Sequence, residues 1–123
     1  MNFVLTTGSA FIWDGHVWFI LSDPKANRGG VLCVNLTSLD EECPDDECFL
    51  EHSDYGWIEM NHKTVVAFSR ARIWNASKIQ MAIAKGLIQC PTLNVVPKAT
   101  VSKVIKAALA SRELGADMKA FLA

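Results

Sequence analysis

Three histidines and a pair of closely spaced arginines are the side chains of this chain best suited to proton and phosphate chemistry. His16 stands immediately before the run Val17-Trp-Phe-Ile-Leu21. His52 and Asp54 share the segment Glu-His-Ser-Asp-Tyr, His62 lies in Asn-His-Lys, and Arg70 and Arg72 are two residues apart. An imidazole gives or takes a proton near neutral pH, and a guanidinium offers a planar fork of donors to a phosphate. A lone histidine is most often an ordinary surface residue. Three of them at strand edges point to a site, because loops on a rigid scaffold are where sites lie. Thr37 closes the run Val31-Leu-Cys-Val-Asn-Leu36, where its hydroxyl either bonds local backbone or faces a ligand. The chain has no phosphate loop, dinucleotide fingerprint, zinc-protease helix or nucleophile elbow.

The four cysteines are at 33, 43, 48 and 90. Cys33 falls inside an apolar run and reads as a small buried hydrophobe. Cys43 and Cys48 frame the acidic stretch Cys-Pro-Asp-Asp-Glu-Cys. Tetrahedral sites show tighter pairs and a clear fourth ligand, so reduced, metal-free thiols are expected, with no metal site and no cofactor.

The formal charge of −1 conceals a division. Residues 1–59 carry Lys25 and Arg28 against eleven acids, a net of −9; residues 60–123 carry ten bases against Glu113 and Asp117, a net of +8. Two readings follow. The halves attract one another within one domain or across a dimer, or the second half offers a basic surface to a polyanion.

The elements that must position these groups begin with strands. Phe3–Thr6, Val17–Leu21, Val31–Leu36, Cys48–Leu50, Gly56–Met60 and Thr64–Phe68 are strand candidates, with Arg70–Trp74 extending the last. The period then changes to 3.6. Asn75 or Ser77 caps a helix carrying Ile79, Ile83 and Leu87 on one face, and Gly86 ends it. A second helix opens near Thr100 or Ser102, with the stripe Val101, Val104, Ile105, Ala108 and Leu109; Gly115 stops it, and Ala116–Leu122 forms a last short helix. Strands followed by helices predict an α+β fold, a small antiparallel sheet or barrel with helices packed outside. The 123 residues, half of them hydrophobic, make one domain, with a barrel over about 1–74 and a helical part over about 75–123. The runs Val17–Leu21 and Val31–Leu36 are too continuous for a sheet with one wet face, so both faces should be covered, burying Val104 and Leu109. Neither run approaches the roughly 20 residues of a membrane span. The N-terminus lacks the basic region of a secretory signal, so a cytoplasmic protein with no membrane partner is expected.

The segments His16-Val-Trp-Phe-Ile-Leu-Ser22 and Val31-Leu-Cys-Val-Asn-Leu-Thr-Ser38 resemble the MazF/PemK family of small toxins. There, an apolar strand ending in Ser is followed by a loop and a strand ending in a Thr-Ser pair. Trp57-Ile-Glu-Met-Asn-His-Lys-Thr-Val-Val and Arg70-Ala-Arg-Ile are similar to the family's late strands and closing Arg segment. The closer likeness is to PemK-like bacterial proteins with an acidic loop and a helical tail. The resemblance implies a compact antiparallel β-barrel and a toxin-like endoribonuclease or RNA-binding protein of a toxin–antitoxin system. The family's catalytic Thr or Ser maps onto Thr37 or Ser38, and its catalytic Arg maps onto His16, where this chain differs. Lys63, Arg70 and Arg72 are then the RNA-contacting cations, and RNA, a cognate antitoxin-like protein and a second copy of the chain are the candidate partners. The alternative is a non-catalytic protein-interaction module on the same barrel, anchored by exposed aromatics such as Trp57 or Trp74. If the two strong strands are adjacent and antiparallel, His16 and Thr37 lie together at one rim, with Arg70 or Arg72 nearby.

Overall fold

The computed structural model describes residues 5–38, 45–51, 53–55, 64–89 and 96–122. Five strands form one sheet: β1 (Ala10–Trp13), β2 (His16–Ile20), β3 (Gly30–Ser38), β4 (Phe49–Leu50) and β5 (Thr64–Asn75). Their order is β1-β2-β3-β5-β4, and every neighbouring pair is antiparallel. The helices α1 (Ala76–Ala84), α2 (Lys98–Ala110) and α3 (Ala116–Lys119) follow. This is the expected α+β arrangement, with the sheet curled into a half-barrel. No helix among the described residues is long and apolar enough to cross a membrane.

The apolar runs predict β2 and β3 but pass over β1. Its signal is the dipeptide Asp14-Gly15 between Phe-Ile-Trp and His-Val-Trp. Both turn residues have positive φ, 53° and 76°, as a two-residue type I′ hairpin requires. At the other end of the chain, Leu5 and Thr6 lie outside any strand, and residues 1–4 of the expected first strand lie outside the described residues, as does Gly56–Met60.

Alternation gives β3 two buried faces. On one, Phe19, Leu32, Val34, Leu36, Val66 and Phe68 pack with Val96, Val104, Ala108 and Leu114. On the other, Leu5, Phe11, Trp18, Ile20, Val31 and Cys33 pack with Ala76 and Ile79 of α1. Fully burying a side chain of this size contributes roughly 1.5–3 kcal/mol, so both faces hold the sheet. Val104 is fully buried, as expected, whereas Leu109 is 50% exposed. On α2, Thr100, Val104 and Ala108 are buried and Val101 and Ile105 pack half-buried against the same core, so Leu109 alone of the expected stripe lies beyond the contact.

Helix ends follow local chemistry. The Asn75 Oδ1 accepts from the amides of Ser77 and Lys78, as an N-cap does. At the far end of α1, Gly86 (φ 73°) lets its own N–H bond Ile83 O and the Leu87 N–H bond Ala82 O, a Schellman closure. Leu87 therefore lies past the helix it was expected to join, and is 74% exposed. The second helix begins at Lys98, ahead of the expected Thr100 or Ser102. The Thr100 hydroxyl donates to Asp54 O, 2.6 Å away, so it ties α2 to a loop and caps nothing. The same helix ends at Ala110, short of Gly115, because Ser111 turns to extended backbone. The Ser111 hydroxyl oxygen accepts from Glu113 N and Leu114 N.

The acidic first half docks on the basic second half. Glu47 accepts from the Ser111 hydroxyl and the Arg112 amide. Asp54 pairs with Lys103 at 3.2 Å, and Glu47 with Arg112 at 3.8 Å. Exposed pairs of this kind contribute little each; their effect is to hold residues 45–51 and 53–55 against the body of the domain.

Candidate functional site

Register brings one row of side chains across the sheet. Trp13 pairs with His16, and Val17 with Leu36, so His16 opposes Thr37 one step further on. Thr37 pairs with Val65, and Val65 with Phe49. The row thus runs Trp13, His16, Thr37, Val65, Phe49 on the face shared with Trp18 and Cys33. Trp13 and Phe49, at its two ends, are each 44% exposed; Thr37 and Val65, in the middle, are buried.

A bulge supplies the cation. Between Cys33 and Asn35 the partners jump from Arg72 to Ala67, so Val34 alone faces four residues, 68–71. Asp45 pins this segment by accepting from the Ser69 amide (3.0 Å) and the Ser69 hydroxyl. Bulges re-aim side chains, and this one delivers Arg70 to the row: its Nη1 donates to Thr37 Oγ1 at 3.4 Å. The Thr37 hydroxyl in turn donates to Asn35 Oδ1 at 3.3 Å. Arg70, Thr37 and Asn35 form a short relay with both inner members buried.

The ring of His16 is half-buried, and its Nδ1 lies 3.2 Å from Leu36 O. A carbonyl oxygen only accepts, so Nδ1 carries the hydrogen and donates. In the neutral ring Nε2 then holds the lone pair and is the nitrogen able to accept a proton from a ligand.

The structure thus gathers His16, Thr37 and Arg70 and separates the rest. Arg72 pairs with Cys33, beyond the bulge, and is exposed there. Ser38 follows Thr37 in β3 and alternates to the opposite face. Lys63, His52 and His62 lie outside the described residues. Asp54 holds Glu51 N and Lys103, away from this row. Thr37 is 1% exposed, and its hydroxyl is engaged by Arg70 and Asn35 within the protein.

Burial pushes the Cys33 thiol far up from its ordinary value. It does the same to Cys48, against a smaller opposing pull from Lys103. Burial thus favours the neutral thiol over the nucleophilic thiolate at both positions. Cys43 and Cys90 lie outside the described residues, and among the described residues no cluster of His, Cys, Asp or Glu has the arrangement of a metal site.

Two features escape the sequence. Asn35 is a polar residue inside an apolar run, and no neighbour in sequence signals its bond to Thr37. The second is an aromatic cluster: the Trp74 ring lies 4.7 Å from that of Trp18, 5.2 Å from Trp13 and 5.8 Å from Phe11. Trp13 stands one alternation after Phe11, just before Asp-Gly, which was a legible hint of its face. The contact with Trp74, from a strand three places away in the sheet, was not. Compared with known proteins, the chain matches no family model, no curated protein and no solved structure.

Proposed function

We propose that this chain acts on RNA as a toxin-like endoribonuclease, in the manner of the MazF/PemK family that its strand motifs resemble. The observation that carries the reading is the convergence of a proton-accepting imidazole and a guanidinium at one end of the sheet, His16 opposite Thr37 with Arg70 bonded to it. In such cleavage the RNA 2′-oxygen attacks the adjacent phosphorus and the bond to the 5′-oxygen breaks, leaving a 2′,3′-cyclic phosphate. His16 Nε2 takes the proton of the 2′-hydroxyl. Arg70 stabilises the charge on the non-bridging oxygens. The leaving 5′-oxygen takes its proton from solvent. Thr37 and Asn35 position Arg70 and do not touch substrate. No metal or cofactor enters these steps.

A second reading, the non-catalytic interaction module, draws on the half-exposed Trp13 and Phe49 at the two ends of the row, since exposed aromatics anchor protein partners. Inducible expression separates the two. The nuclease stops growth and fragments cellular RNA, whereas His16→Ala, made to the same level, does neither. Harmless wild-type protein with intact RNA overturns the nuclease reading, and the interaction module inherits the fold.

A further inference from the structure

Beside the His16 row, Phe11, Trp13, Trp74 and Ile79 line a cleft of about 230 Å³, with Asn75 and Lys78 at its rim. Sites for drug-sized ligands run to roughly 300–1,000 Å³, so this one suits a single ring system. Two of its walls are tryptophan rings set nearly perpendicular, at 82°. Asn75 also belongs to a second groove, which contains Lys25, Arg28 and Gln80. Among the described residues no carboxylate lines either cavity; the nearest in sequence are Asp14, which follows Trp13, and Asp23, which accepts from the Lys25 backbone amide. The two cavities therefore meet at one residue and differ in kind, one aromatic and one cationic.

We infer that these joined cavities form a binding site for a nucleotide of a single-stranded nucleic acid, its base stacked in the Trp13–Trp74 cleft and its backbone phosphate led along Lys78, Lys25 and Arg28. The charge favours this occupant: an apolar peptide would use the rings but not the three cations, whereas a phosphate backbone with an unpaired base uses both cavities. A base also requires an unpaired strand, because in a duplex its face is covered. The cleft shares Trp13 with the row that carries His16, so it receives a base next to the phosphate held at Arg70. That last placement, and the choice of RNA, rest on the proposed nuclease reading; the stacking site does not.

The test uses the full chain and fluorescence anisotropy of a labelled 2′-O-methyl oligonucleotide, which lacks the attacking hydroxyl and stays intact. Trp13→Ala is expected to weaken binding about tenfold or more, the usual effect of removing a stacking ring, and Trp13→Phe to restore most of it. An abasic oligomer with the same backbone should bind wild type and Trp13→Ala equally. Lys25→Gln with Arg28→Gln should flatten the salt dependence, which supplies a second readout if Trp13→Ala disturbs the hairpin. Equal binding by wild type and Trp13→Ala, preference for duplex, or full-strength abasic binding to wild type would each overturn the inference. Wild type that binds through Trp13 without cutting RNA keeps the stacking site and removes the nuclease. Wild type that cuts RNA while Trp13→Ala binds unchanged does the opposite.

Discussion

The same strands present two unlike faces. On one, Phe19, Val34, Leu36, Val66 and Phe68 form an apolar centre under α2, with Tyr55 and Thr100 at its margin and Ser38 and Thr64 at one end. On the other, the apolar set of Trp18, Ile20, Val31 and Cys33 gives way, toward one end, to Asn35, Thr37, Arg70 and His16. Burying hydroxyl and amide groups in a small domain costs stability unless each is bonded. Here each is bonded: among the described residues no buried side-chain polar atom lacks a partner. A core built for stability alone gains more from apolar residues at positions 35 and 37. A bonded polar relay there, ending on an arginine, fits the RNA-binding face proposed above.

The largest expected effect lies on the apolar face. Phe19→Ala or Phe68→Ala removes a fully buried ring and should destabilise by about 3–5 kcal/mol, measured by urea unfolding, and should abolish every activity along with the fold. If either variant leaves stability within experimental error, the contrast between the faces is wrong.

Next comes the relay. Thr37→Val keeps shape but strands Asn35 Oδ1 and deprives Arg70 of an acceptor, a cost of about 1–3 kcal/mol. Combined with Asn35→Val, the loss should be less than additive, because the pair then leaves together. Thr37→Val should also lower RNA cleavage while the domain remains folded. Additive losses in the double-mutant cycle would mean that the two residues do not share a bond.

Asn75→Ala removes a cap and should cost about 1 kcal/mol with a matching fall in the thermal midpoint.

The smallest effect concerns pH. The Ser111 hydroxyl first, then the Arg112 amide, hold the Glu47 carboxyl below its usual range. A depressed folded-state value means that the stabilisation is complete above the ordinary carboxylate range and disappears as pH falls through the folded-state value. Wild type should therefore lose its advantage over Glu47→Gln on acidification. Parallel stability curves for the two proteins would remove Glu47 from the docking of residues 45–51.

These contrasts show why some of the site was legible in the sequence. His16 opposite Thr37 follows from two apolar runs and one turn, since adjacent antiparallel strands return the chain to the same end. The selection of Arg70 over Arg72 does not, because it depends on a bulge whose extra residues are pinned by Asp45, more than twenty positions earlier. No local pattern encodes that long-range bond. The hairpin at Asp14-Gly15 had a local signal, but β1 is only four residues long, too short for its apolar content to stand out. The aromatic cleft joins positions 13 and 74 through the curl of the sheet, and no local pattern encodes curl. Leu109 marks the reverse limit: a stripe of apolar residues on a helix does not say how wide its partner surface is.

On the proposed mechanism His16 moves a proton during RNA cleavage, and single-turnover cleavage of an end-labelled RNA by purified protein checks that role. Wild type should yield fragments ending in a 2′,3′-cyclic phosphate across pH 6–8, and His16→Ala should be slower by about 10²–10⁴-fold with unchanged unfolding behaviour. Intact RNA with wild type, or equal rates for the two proteins, would contradict it.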